Sequence, residues 1–362
     1  MKKIILAITF FTVFTNSAFS QLDSIFDQSI WRTFLVHLPI NYNSNIQYPL
    51  VVNLHGLNSN AAQQQNYSLF DNVADTENFI VVYPNANSGS WVINGTSDVD
   101  FISHLIDTVR NNFSCNNCLF ITGMSQGGFL TYKLACSLPQ SIKAIAVVSG
   151  NMSQNLQNTC VVSSGLPIIH FHGTADSLVK YNGVVGIPPV PNTINWWVAQ
   201  NNCNTTPVFS SPPNINLLDG STVEKYNYSG GTNGSEINFY KIINGGHTWP
   251  GALSSSPFGF TNLDINASQI IGDFFSQYCP VSVGISESNL LNLSVYPNPF
   301  SDIINVENTD KLKSYQLYNS IGQIVWKGEN IENNDFTHFQ NGIYFLKVST
   351  QMGQQTLKLI KQ

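Results

Sequence analysis

Charge is scarce in this chain. Only 10% of its 362 residues are Asp, Glu, Lys or Arg, and the formal net charge is −6. No basic stripe is present to track a phosphate backbone, which argues against a nucleic-acid partner. Long apolar runs are missing too. Residues 4–14, behind Lys2 and Lys3, fall short of the about 20 residues that a bilayer span needs, so no stable membrane span is expected. That stretch reads instead as the middle of a signal peptide over 1–20, ending in Ala18-Phe19-Ser20 with small residues at the first and third positions, so that the mature chain starts at Gln21. Cys115-Asn116-Asn117-Cys118 lacks a second cysteine pair, which disfavours a zinc or thioredoxin-like role. In an exported chain the six cysteines are expected to form disulfides. Sequence leaves the connectivity open. Proximity favours Cys115 with Cys118 and Cys136 with Cys160, and Cys203 with Cys279 would tie the last helix to the body.

What is present is an alternation of strand-like and helix-like segments from Gln21 to about residue 280. Residues 31–38 read as an edge strand, and 50–54, 79–83, 144–148 and 166–171 as short apolar runs of the kind buried in a parallel sheet. Phe101, Leu105, Ile106 and Val109 recur at helical spacing, and 264–278 reads as a closing helix. The pattern predicts a doubly wound α/β fold with its site at the carboxyl ends of the strands. Residues 181–228, rich in Pro, Asn and Gly, fit less well. They read as a surface excursion whose Trp196 and Trp197 anchor a helix to the core, with a substrate-facing cap as the alternative. After a linker over 281–292, short alternating runs separated by turn signals predict a small all-β sandwich over 293–362.

Three motifs carry chemistry. Gly123-Met124-Ser125-Gln126-Gly127 follows an apolar run and opens onto a helical pattern, the setting of a nucleophile elbow. Asp176 ends His172-Gly173-Thr174-Ala175-Asp176, just past a buried strand, and His247 lies in the glycine-rich Asn244-Gly245-Gly246-His247 loop. The chain order Ser, Asp, His is that of α/β-hydrolases and differs from the orders of chymotrypsin-like and subtilisin-like enzymes. A serine hydroxyl needs a base, and the base an orienting group. Ser125 is thus the candidate nucleophile, His247 the base and Asp176 the orienter, with Asp219 and Asp264 as weaker rivals to Asp176. The oxyanion donors are expected to be the backbone N–H groups of Gln126 and of Leu57, which follows Leu54-His55-Gly56. Trp249 and Trp91 are candidates to border the substrate, Trp249 alternatively bracing the histidine loop. His170 and His172 face one side of a strand, which invites a metal reading, but no third ligand is near and a structural role is favoured.

These motifs, with the Gly246-His247-Thr248-Trp249-Pro250-Gly251 ending, resemble the secreted polyhydroxybutyrate depolymerase-like esterases, close to the feruloyl and acetylxylan esterases of carbohydrate esterase family 1. The resemblance spans roughly residues 25 to 280. It implies an α/β-hydrolase fold and hydrolysis of polymeric or small carboxylic esters through an acyl-enzyme, without metal or organic cofactor. The chain departs from the family at residues 88–95, where relatives often carry a Cys- and Gly-rich stretch. The tail, with Val295-Tyr296-Pro297-Asn298-Pro299-Phe300 and Gly342-Ile343-Tyr344-Phe345, is similar to C-terminal sorting domains of the type IX secretion system, which implies that machinery as a partner and an extracellular or cell-surface location. A peptidase of the prolyl oligopeptidase type shares the triad order but carries an N-terminal propeller that has no counterpart here. A non-catalytic polymer-binding surface protein is the remaining alternative.

Overall fold

The computed structural model describes residues 20–138, 141–162, 165–253, 257–279, 293–307, 312–320, 322–332, 334–350 and 353–362. Apart from Ser20, the expected signal peptide lies outside them, as does the expected linker. The chain divides into two compact units, Met1–Pro280 and Val281–Gln362.

The first unit runs β1 (Ser20–Asp27), β2 (Ile30–His37), β3 (Tyr48–Leu54), α1 (Ala61–Ser68), α2 (Phe70–Glu77), β4 (Ile80–Pro84), α3 (Ser97–Asn112), β5 (Cys115–Met124) and α4 (Gln126–Ser137). It continues through β6 (Ile142–Val148), α5 (Gln154–Thr159), β7 (Ile168–Gly173), α6 (Val190–Gln200), β8 (Val208–Ser210), β9 (Thr222–Tyr228), β10 (Ile237–Ile243) and α7 (Ala267–Tyr278). The strands form one sheet in the order β1-β2-β4-β3-β5-β6-β7-β10-β9-β8. Pairing is parallel from β4 through β10 and antiparallel at both margins.

Strand residues alternate between two cores, as the period of two requires. Leu50, Val52 and Ile121 pack with Leu105 of α3, Leu130 of α4 and Trp197 of α6. Val51, Phe120 and Ile169 face the other way, against Phe70 of α2 and Phe275 of α7. Both faces of the sheet are therefore covered. The chain moves outward from β3 to β4 and then returns to the far side of β3 as β5, so the strand order reverses between β3 and β5. Ligands of open α/β sheets bind at such a switch point.

Two expectations need correction. Residues 31–38 are not the edge strand: β2 is flanked by β1, and the turn between them uses Gln28 and Ser29 at positive φ (46° and 68°). The proximity pairing of cysteines also fails in part. Cys136 bonds Cys160, but Cys118 bonds Cys279, while Cys115 and Cys203 are free. Cys115 and Cys118 both lie on β5, where residues three apart point to opposite faces and are separated by about 10 Å, beyond the reach of a disulfide. Loop-closure entropy assigns ~5 kcal/mol to the bridge spanning 161 residues and ~3.5 kcal/mol to the one spanning 24. Alkylation of the unreduced, denatured chain is expected to label two thiols. Complete protection would mean that Cys115 and Cys203 are also bridged.

Within 181–228, α6, β9 and the edge strand β8 pack as part of the body. Trp197 is fully buried and stacks on Tyr132 at 5.8 Å, with Trp196 edge-on to it at 5.0 Å. The tryptophans are anchors of the helix.

The second unit holds β11 (Ser294–Tyr296), β12 (Asn305–Glu307), β13 (Leu312–Tyr318), β14 (Ile324–Gly328), β15 (Gly342–Thr350) and β16 (Gly353–Lys361). They form a two-stranded sheet and a four-stranded antiparallel sheet in the order β14-β13-β15-β16, around Phe300, Leu317, Phe336 and Leu346.

Candidate active site

Ser125 stands between β5 and α4 at φ 54°, ψ −121°, a conformation that L-residues adopt only when their surroundings enforce it. Two close approaches do so. A Cβ on Gly123 would lie 2.6 Å from the Gly127 carbonyl, and one on Gly127 would collide with the carbonyl oxygens of Leu54 and His55. Only glycine lets β5, α4 and the end of β3 come this near. The Ser125 N–H donates to the Val148 carbonyl (3.0 Å), which fixes the turn to β6.

Asp176 follows β7, and its carboxylate is fully buried. Oδ1 accepts the N–H groups of Leu178 (2.9 Å) and Val179 (2.8 Å), which leaves Oδ2 to face Nδ1 of His247 at 2.8 Å. A carboxylate is an acceptor only, so the proton of a neutral His247 sits on Nδ1 and Nε2 carries the free lone pair. The His247 loop is held by backbone bonds, from Gly246 N–H to Phe260 O (2.8 Å) and from His247 N–H to Phe258 O (2.9 Å). Asp219 and Asp264 are committed elsewhere: Asp219 caps Ser221 and Leu263, and Asp264 accepts from Ile215 and Asn216.

Ser125, Gln126, Leu57 and His247 line one cavity of about 1070 Å³. Its wall is apolar along Ile93, Phe129, Leu178, Ile187 and Phe258, and polar along Asn58, Gln63, Asn66 and Tyr67. The loop where the chain departs from its resemblance borders this cavity through Ile93. The Gln126 side chain pins that loop, accepting from Trp91 N–H (3.0 Å) and donating to Ser90 Oγ and the Trp91 carbonyl (both 3.2 Å).

Neither tryptophan singled out from the sequence lies on the cavity wall. Trp249 is 1% exposed and braces the histidine loop, its indole N–H bonding Ser268 Oγ at 3.0 Å and its backbone N–H bonding the Tyr67 hydroxyl at 3.2 Å. Trp91 is 2% exposed; its indole N–H bonds the His55 carbonyl (2.8 Å), and its ring lies 4.8 Å from the imidazole. His55 is structural as well: Ala86 N–H donates to its Nε2 (3.0 Å), so its Nδ1–H meets the Gly56 carbonyl (2.7 Å). Burial lowers its pKa, partly offset by that carbonyl bond.

The sequence reading missed Tyr67, Ile93, Phe129 and Phe258 as wall residues. Tyr67 lies on α1, whose sequence AAQQQNYS has no apolar stripe to mark an inward face.

Residues 30–203 match the family described as "Putative esterase", and residues 294–362 match the "Secretion system C-terminal sorting domain". The first segment is similar to esterases. Among similar proteins, a bifunctional acetylxylan esterase/xylanase from Neocallimastix patriciarum is 32% identical over 163 residues, 44% of this chain and 24% of the relative. A probable feruloyl esterase C from Aspergillus clavatus is 30% identical over 164 residues, 43% of this chain and 58% of the relative. The match thus spans less than two thirds of each relative. A mutant of the feruloyl esterase module from Clostridium thermocellum, complexed with sinapinate, superposes with a TM-score of 0.50 at 15% identity, over 73% of this chain and 88% of that one. The first unit therefore has the α/β-hydrolase fold, and the match of residues 294–362 to a secretion sorting domain indicates a cell-surface or extracellular placement. Among the described residues, no helix is long and apolar enough to cross a membrane.

Proposed function

We propose that this protein is a secreted serine carboxylic ester hydrolase that works through Ser125, His247 and Asp176. The observation that carries the proposal is the 2.8 Å bond between His247 Nδ1 and buried Asp176 Oδ2, with His247 and the elbow serine on the wall of one cavity. Nε2 of His247 accepts the Ser125 proton as Oγ attacks the ester carbonyl. The charge that develops on the carbonyl oxygen is received by the backbone N–H groups of Gln126 and Leu57. Gln126 is the first residue of α4, so its N–H has no intrahelical partner and lies at the positive end of the helix. His247 then protonates the departing alcohol, leaving an acyl-serine. Water, deprotonated by the same imidazole, hydrolyses it.

For the substrate, the relatives and the cavity support an aromatic acyl or acetyl ester of a plant polysaccharide. A volume of about 1070 Å³ with an aromatic and aliphatic wall holds far more than an acetyl group, which favours a bulky apolar acyl such as a feruloyl group. Product release should be measured with the full-length protein on a soluble feruloyl ester, an acetylated xylan, a hydroxybutyrate oligomer and a peptide amide. Preferential turnover of the feruloyl ester is expected. Preference for the oligomer would turn the reading towards a polyester depolymerase, and cleavage of peptide amides alone would make it a peptidase.

The C-terminal unit we read as the address for type IX export, removed on arrival. Mass spectrometry of the extracellular protein is then expected to find a form ending before residue 294. A full-length extracellular chain would favour a retained binding module.

A further inference from the structure

His170 and His172 are buried beside the candidate acid and have no part in the chemistry above. Their side chains share one face of β7, stack at 5.5 Å, and bond to each other, Nε2 of His170 to Nδ1 of His172, at 3.3 Å. The chain of contacts extends at both ends. Tyr132 of α4 places its hydroxyl 2.7 Å from Nδ1 of His170, and Nε2 of His172 lies 2.7 Å from the Val179 carbonyl and 3.5 Å from Asp176 Oδ2.

The Val179 carbonyl, 2.7 Å from Nε2 of His172, sets the direction of the protons in this row, and the Gly150 backbone faces the same imidazole. Val179 O accepts only, so Nε2 of His172 carries a hydrogen. A neutral His172 then has a bare Nδ1, which requires the hydrogen of His170 on Nε2. The bare Nδ1 of His170 in turn takes the Tyr132 proton. Protonating His172 would set two N–H groups against each other inside the core, and protonating His170 would set an N–H against the phenol proton. Burial lowers both imidazole pKa values, His170 further through His172, and burial raises the Tyr132 pKa, all in keeping with a neutral row. The other titratable groups facing the pair are Asp176, His247 and Tyr181, whose ring lies 6.2 Å from His172. Tyr181 itself faces Tyr226, Glu224 and Tyr228.

We propose that Tyr132, His170 and His172 are positioning residues: a one-way hydrogen-bond row that ends on the Val179 carbonyl and so holds the loop whose Val179 N–H fixes the Asp176 carboxylate against His247, with His172 Nε2 3.5 Å from Asp176 Oδ2. The inference rests on the proposed roles of Asp176 and His247. Val179 closes the arrangement, because its N–H donates to Asp176 Oδ1 while its carbonyl holds His172. The loop from β7 to Val179 therefore cannot turn the carboxylate without breaking the row.

Nitrogen-15 NMR of the full-length protein reads the row without turnover. Both imidazoles are expected as neutral Nε2–H tautomers from pH 5 to 8, and a charged or Nδ1–H form of either overturns the proposal. In His172→Phe, kcat is expected to fall by up to roughly tenfold, the upper scale of one neutral hydrogen bond, with KM within about twofold. The acid limb of the kcat profile should move to higher pH, because the N–H dipole 3.5 Å from Oδ2 is lost. His172→Gln, which restores an N–H, should recover most of the loss. Tyr132→Phe covers the case in which His172→Phe does not fold, and should move the limb the same way by less. A folded variant with unchanged kcat and limb would reduce the row to packing. If Ser125→Ala stayed active, the functional reading would fail while the tautomers remained readable, so the two failures are distinguishable.

Discussion

Replacing Ser125 with alanine is expected to lower kcat/KM by roughly 10⁴-fold or more, leaving only what binding and the oxyanion donors supply. Thermal unfolding should barely move. The side chain contributes an Oγ at the cavity wall, while the strained backbone is held by the Val148 carbonyl and by the glycine contacts of Gly123 and Gly127, all of which alanine keeps. Labelling by a fluorophosphonate should disappear with the activity. Residual turnover within tenfold of the parent would remove Ser125 from the mechanism.

Asp176→Asn should cost nearly as much, roughly 10⁴-fold in kcat, for a reason the geometry makes specific. The amide oxygen is drawn to the N–H groups of Leu178 and Val179, which require an acceptor. The amide nitrogen is then turned towards His247 and donates to Nδ1. The imidazole must carry its hydrogen on Nε2, the atom that should take the serine proton, and the base is lost although the fold is kept. A variant within tenfold of the parent at its pH optimum would mean that another group orients His247.

The motifs that carry the site were legible because each combines a chemical requirement with a local one. Ser125 sits between glycines that only a tight strand-to-helix crossing demands, and Asp176 and His247 follow apolar runs that end in glycine turns. The parallel core was legible from its short, continuous apolar runs. What stayed hidden depends on neighbours distant in sequence. The β1–β2 turn at Gln28 and Ser29 carries no glycine or asparagine to announce it. The partner of Cys118 lies 161 residues away. The cavity wall takes Tyr67 from a polar-looking helix and Phe258 from a loop, and the row from Tyr132 to Asp176 joins a helix, a strand and a loop that no periodicity relates. His170 and His172 could be read as neighbours on one face of a strand, but the proton order they impose follows from the Val179 carbonyl, which lies in a loop beyond the strand.

The bridge from Cys118 to Cys279 also decides where mechanical load travels. A pull on the two ends of the chain runs from the C-terminal side to Cys279, crosses the sulfurs to Cys118 on central strand β5, and leaves along the residues that precede it. The intervening segment is bypassed, and it contains Ser125, Asp176 and His247. Tension applied through the C-terminal side is therefore not transmitted along the backbone that carries these three residues, and unravelling from a severed C-terminus stops at the sulfur knot.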